Sequence, residues 1–147
     1  MSRYLTRALW LGLAVLVVAQ AFRIDRTNLS VQQDVAAPPE VDMLLRRACY
    51  DCHSNETVWP WYTHVAPVSW LLARDVREAR RELNFSTWNV YTTEKKTKKL
   101  KETAKEVAEG EMPPWFYVMV HRRAALSPAD AERLRAWTAE EMAKLGR

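Results

Sequence analysis

Apolar residues occupy almost every position from Ala8 to Phe22, and beyond them the chain breaks into shorter amphipathic stretches divided by proline and aromatic loops. The first run, ALWLGLAVLVVAQAF, is interrupted only by Gln20 and has no polar face, so it does not read as a core helix. Residues 23–38 are polar, aperiodic and end in proline, which predicts a linker. Val41, Leu44, Leu45 and Ala48 then recur at i, i+3, i+4 and i+7, one face of a short helix that runs into Cys49. The aromatic loop Trp59-Pro60-Trp61-Tyr62 follows, and Pro60 and Pro67 forbid a continuous helix there. Leu72, Val76, Ala79 and Leu83 form the next helical stripe, from about Pro67 to Leu83, with Trp70 off that stripe. A third body helix is predicted from Thr93 to Glu109, with Leu100, Ala104, Val107 and Ala108 on one side and Gly110 as a left-handed stop. Ser127-Pro128-Ala129-Asp130 opens the last helix with an N-cap, a first-position proline and a first-turn acid. Its apolar face carries Ala131, Leu134, Trp137 and Leu145, with Trp137 expected in the core.

The expected fold is therefore all-α: about four helices and long loops at 39–147, preceded by an N-terminal hydrophobic helix at 1–22 and the linker at 23–38. The body has no repeat and no convincing strand. A core this thin often depends on a staple or a cofactor.

Charge sharpens the reading of the first segment. Arg3, Arg7 and Arg23 supply three of the 22 basic residues and no acid lies among residues 1–23, which leaves 19 basic against 18 acidic residues in the rest. The near-neutral body gives little support for nucleic-acid binding. A positive start followed by an apolar run is an export signal. Tyr4 to Phe22 is long enough for a short membrane anchor, whereas Ala19-Gln20-Ala21 has the form cut by a signal peptidase after Ala21. Length favours the anchor slightly, and both readings place the body on the periplasmic side of the inner membrane.

Both cysteines of the chain fall in Cys49-Tyr50-Asp51-Cys52-His53. C-x-x-C-H is the attachment signature of c-type haem. Two thiols a helical turn apart can each add to one vinyl group of a single porphyrin, and His53 is then held beneath the iron as proximal ligand. Three other chemistries compete. A thioredoxin-like dithiol wants a strand–helix setting; a zinc site from Cys49, Cys52, His53 and His64 lacks a second paired motif; a disulfide across two residues is geometrically awkward and leaves His53 without a role.

The sixth ligand is expected from Glu111-Met112-Pro113-Pro114, where prolines stiffen the loop behind a thioether. Methionine favours reduced iron relative to imidazole and raises the potential. Met112 could instead fill a gap beside Trp115 and Phe116. Met119 is a weaker candidate, and His64 or His121 would make a bis-histidine site.

The stretches CYDCHSNETVWPWYTHVAPVSW and EGEMPPWFYVMVHRRAALSPAD resemble the bacterial haem-binding domain family, a cytochrome c-like group, over roughly Pro39 to Trp137. The resemblance implies one haem c bound covalently at Cys49 and Cys52, with iron ligands His53 and Met112. Trp59, Trp61, Trp70 and Trp115 bracket these ligands in sequence and are candidates for the porphyrin walls, with some of them building the core instead.

The function expected is an exported mono-haem electron carrier, more an electron-transfer protein than an enzyme, serving unidentified redox partner proteins. The alternative is a haem sensor or peroxidase-like enzyme with an open sixth position, where His64 or His121 would act as acid–base group. Lys95, Lys96, Lys98 and Lys99 crowd the N-terminal half of the third helix and oppose its dipole. They form either a solvated face or a patch that steers an acidic redox partner.

Overall fold

Proline and capping residues punctuate the chain into seven α-helices in the computed structural model, which describes residues 2–146. They are α1 (Arg3–Ala19), α2 (Pro39–Ala48), α3 (Tyr50–His53), α4 (Val68–Glu82), α5 (Thr93–Ala108), α6 (Trp115–Val120) and α7 (Pro128–Leu145). Short 3-10 turns lie at Trp61–His64, Trp88–Val90 and Arg122–Ala124. No strand forms among the described residues, and the fold is all-α as the periodicity predicts. The body holds six helices rather than about four because α3 and α6 are four and six residues long, too short to show a helical period.

Start and stop signals act where they are expected. Pro39 opens α2, with Glu40 and Asp42 in the first turn and Arg46 and Arg47 in the last, the order that suits the helix dipole. Thr92 caps α5, and Gly110 beyond its end has φ +75°, a conformation that costs glycine little. At α7, the Ser127 hydroxyl accepts from the Asp130 N–H while the Asp130 carboxylate accepts from the Ser127 N–H, a closed capping box.

The core joins α2, α5 and α7 beneath the segment that follows α4. Val41, Leu44 and Leu45 from α2 meet Leu100 from α5 and Leu134 and Trp137 from α7, with Tyr50 and Phe85 stacked at 5.4 Å. Val35 joins them from 23–38. That stretch lies along the body: Gln32 N–H donates to Ser86 O (2.9 Å), Asn28 Nδ2 to Thr57 O (2.9 Å) and Arg26 Nη1 to Thr63 O (3.0 Å). Such pairings between aperiodic segments leave no periodicity in the sequence.

α1 stands apart, with no buried residue. Its 17 residues rise about 26 Å at about 1.5 Å each, against about 30 Å of bilayer hydrocarbon. Among the described residues no helix is long and apolar enough to cross a membrane. The end of α1 is nevertheless tied to the body. The Gln20 side chain donates to Ala66 O (3.3 Å) and accepts from Ala66 N–H (3.0 Å), and Trp70 Nε1 donates to Phe22 O (3.0 Å).

Candidate functional site

Cys49 closes α2 and opens α3, with φ −125° and ψ −36°. Its carbonyl accepts from the N–H of Cys52 (3.1 Å) and of His53 (2.8 Å), which winds the motif into one turn. Both cysteines are free thiols. Burial pushes the Cys49 thiol up to about 12 and the Cys52 thiol up to about 11, with Asp51 and Asp75 adding to the latter. Thiols held protonated in this way are the opposite of a redox dithiol, whose attacking cysteine needs a lowered pKa. Among the described residues no group of three or more His, Cys, Asp or Glu converges to hold a metal ion, so the zinc arrangement considered above is not assembled.

The His53 ring is oriented from α4. Its Nδ1 lies 3.0 Å from Leu83 O and 3.2 Å from Ala79 O, acceptors that fix the proton on Nδ1 and leave Nε2 with a free lone pair. Burial lowers the pKa of the ring, although those two carbonyls work in the other direction, and the neutral, ligating form is favoured. A ligand histidine whose second nitrogen is held by a carbonyl is the arrangement that orients a ring toward a metal.

His53 and Cys49 line a cavity of about 400 Å³ whose walls also include Leu83, Phe85, Val107 and Met112. Met112 comes from the turn after α5, where its N–H donates to Glu106 O (3.2 Å). The cavity thus brings together, from α2–α3 and from the turn after α5, the histidine and methionine that lie 59 positions apart in the chain. A flat apolar group that takes a nitrogen ligand and a thioether fits this donor set. Lys99, Glu82 and Glu102 add a charged edge, with Lys99 Nζ 3.2 Å from Glu82 and 2.7 Å from Glu102.

The four tryptophans lie elsewhere. Trp61 and Trp115 are 77% and 75% exposed, Trp70 binds the carbonyl of Phe22, and the buried Trp59 Nε1 has no partner. None of the four lines this cavity, whose aromatic wall is Phe85; Trp137 belongs to the core as expected. His64 and His121 are also outside it. His121 is instead hydrogen-bonded to Tyr62 and stacked on Tyr117 at 4.3 Å, and Tyr117 Oη donates to Asp51 Oδ2 at 2.6 Å.

Sequence reasoning missed what holds the C-x-x-C-H turn in place. Phe85 N–H donates to His53 O (2.8 Å), Asn55 N–H to Ser86 Oγ (3.0 Å), and Asn84 Nδ2 to Asn55 Oδ1 (2.8 Å). Arg80 reaches from α4 to Ser54 O at 2.7 Å. The available signal was a pair of small polar runs, Ser54-Asn55 after the motif and Asn84-Phe85-Ser86 after α4, whose polar members are buried. No curated protein and no solved structure matches the chain. The sequence profile of the haem-binding domain family matches residues 14–140, which span the C-x-x-C-H turn, the cavity and the methionine loop, and the chain belongs to that haem-binding family.

Proposed function

We propose that this haem-binding protein is an exported mono-haem c-type cytochrome that passes single electrons. The observation that carries the reading is His53. Its Nδ1 is committed to the carbonyls of Leu83 and Ala79, which leaves Nε2 as the nitrogen that would hold the iron, and Cys49 and Met112 line the same cavity as the ring. Haem supplies a one-electron ferric–ferrous couple when bound. Cys49 and Cys52 would hold the group through thioethers, each Sγ–H adding across one vinyl group with its hydrogen passing to the neighbouring carbon, so that no oxidant would be consumed. Cys49 and Cys52 suit that step because both are reduced and unpaired. Met112 is the sixth ligand in this reading, holding the iron closed to small molecules and favouring its reduced state.

Export follows from the apolar run after Arg3 and Arg7. Retention of that segment as a membrane attachment is supported by the Gln20 clamp on Ala66, since cleavage after Ala21 would remove it. The family match at 14–140 begins inside α1 and is in keeping with a retained segment. α1 then attaches the body to the outer face of the inner membrane through its exposed apolar side chains. The partners are redox proteins of the same compartment.

The test is protein matured in a host that assembles c-type cytochromes. Haem that survives acid extraction, a mass raised by one porphyrin and a low-spin ferric spectrum with the weak far-red band of methionine ligation are expected. Extractable haem removes the covalent reading. A high-spin spectrum removes Met112 and favours the open-site enzyme or sensor.

A further inference from the structure

A second cavity, about 350 Å³, lies where the end of α1 meets the 3-10 turn at Trp61–His64 and the start of α4. Its lining is mostly polar and includes Arg23, Arg26 and His64 with Ser69 and Gln20, and no carboxylate. The nearest acid in sequence, Asp25, is not in the lining, and its carboxylate accepts from Thr27 N–H (2.8 Å) and Thr27 Oγ1 (2.5 Å). Arg23 and Arg26 are in no salt bridge among the described residues, so their charge is not neutralised by a carboxylate at this cavity. Arg26 donates only to Thr63 O (3.0 Å), which fixes the guanidinium in the wall and leaves its other N–H groups to a guest.

The helix end that borders this cavity would ordinarily repel an anion. Here its last carbonyls are all taken. Leu16 O accepts from Gln20 Nε2 (2.8 Å), and Val17, Val18 and Ala19 accept from the N–H groups of Gln20, Ala21 and Phe22 at 3.0 to 3.2 Å. What remains is two guanidinium groups and an imidazole with no internal counter-charge.

We propose that this cavity binds a phosphate group and that its occupant is a phospholipid headgroup. Arginine forks match phosphate oxygens, and the site sits at the end of an apolar helix with no buried residue. That is the level at which headgroup phosphates lie around a membrane-attached segment. Trp70, pinned to Phe22 beside the cavity, supplies the aromatic ring common at that depth. The choice of lipid rather than free phosphate rests on α1 being a membrane attachment; the phosphate site itself does not.

The experiment uses the full-length, haem-loaded protein in a nonionic detergent free of phosphate. It is titrated calorimetrically with short-chain phosphatidylglycerol and, separately, with inorganic phosphate. Saturable binding of one phosphatidylglycerol per chain is expected, weakened about tenfold by Arg23→Gln, the loss of one charge-assisted contact. Arg23 is exposed and makes no side-chain bond, so this variant leaves the fold intact. A second variant, Arg26→Gln, should weaken binding at least as much. Inorganic phosphate that binds as tightly as the lipid, with the same loss in Arg23→Gln, overturns the lipid assignment in favour of a free phosphate ligand. Absence of binding by either probe, or equal affinity in Arg23→Gln, overturns the site. Membrane attachment is read separately by flotation with digalactosyldiacylglycerol vesicles, which contain no phosphate and engage α1 alone.

Discussion

His53 has its ring oriented by the carbonyls of Ala79 and Leu83 at the end of α4 and kept neutral by burial, and this has a consequence for pH. Its pKa is lowered in the fold, chiefly by burial, so a denatured chain takes up the ring proton more readily than the native one. Stability from the neutral ring is complete above the unfolded value of about 6.5 and is lost as pH falls through the lowered native value. Urea midpoints of haem-free protein should therefore fall below about pH 6.5, and His53→Gln should flatten that part of the profile. On the other wall, Met112→Ala should leave the haem attached by mass but abolish the methionine band. It should also lower the potential on the order of 100 mV, since about 59 mV corresponds to a tenfold change in relative ligand preference for the two oxidation states. Electrochemical titration of the matured variant checks this. At this scale the turn that winds Cys49, Cys52 and His53 together was legible because the C-x-x-C-H spacing is that of one helical turn. The carbonyls of Ala79 and Leu83 were not, because a backbone acceptor has no signature in side-chain identity.

Elements are positioned by a division of labour between caps and a buried polar seam. The helices predicted from periodicity and capping, α2, α4, α5 and α7, appear with bounds close to expectation because their stripes and end signals agree. α3 and α6 exist only in context: α3 continues from α2 through Cys49, and α6 follows Pro114. The seam that fixes α3 against the end of α4 uses Asn55, Asn84 and Ser86, all buried. Asn84→Ala removes the bond to Asn55 Oδ1 and the acceptor of Ser86 N–H, stranding two buried groups. A loss of about 2–4 kcal/mol in chemical denaturation is expected, from about 1–3 kcal/mol for each unsatisfied group with partial relaxation. Ser127→Ala opens the α7 capping box and should cost about 1 kcal/mol. The larger loss is expected at the seam because water can replace the exposed cap but not the buried amide.

For the molecule as a whole, the proposed electron transfer makes the charge on α5 a matter of how a redox partner would be met. The four lysines read from the sequence as one patch separate in the fold. Lys99 is buried and bonded to Glu82 and Glu102; burial works to lower its pKa, but these carboxylates outweigh it and the ammonium is kept charged. It belongs to the edge of the cavity that His53 and Met112 line. Lys95 lies 3.9 Å over the Tyr91 ring, Lys96 is 6.0 Å from the Trp88 ring, and Lys98 is 3.7 Å from Glu102. Exposed pairs of this kind are worth little to stability, so these charges remain free to act at a distance. Lys95 and Lys98 are exposed on the helix whose Lys99, Glu102 and Val107 line the cavity, so their field extends to the site proposed to hold haem. Replacing both with Gln should slow reduction by a small anionic donor several-fold at an ionic strength of about 0.01 M, where the screening length is about 30 Å. At about 1 M, with screening near 3 Å, the double variant and the original chain should converge. A neutral donor should reduce both at equal rates throughout. Stopped-flow traces of the haem band distinguish the cases, and a rate difference that persists with the neutral donor would place these lysines in the electronic or structural setting of the haem rather than in steering.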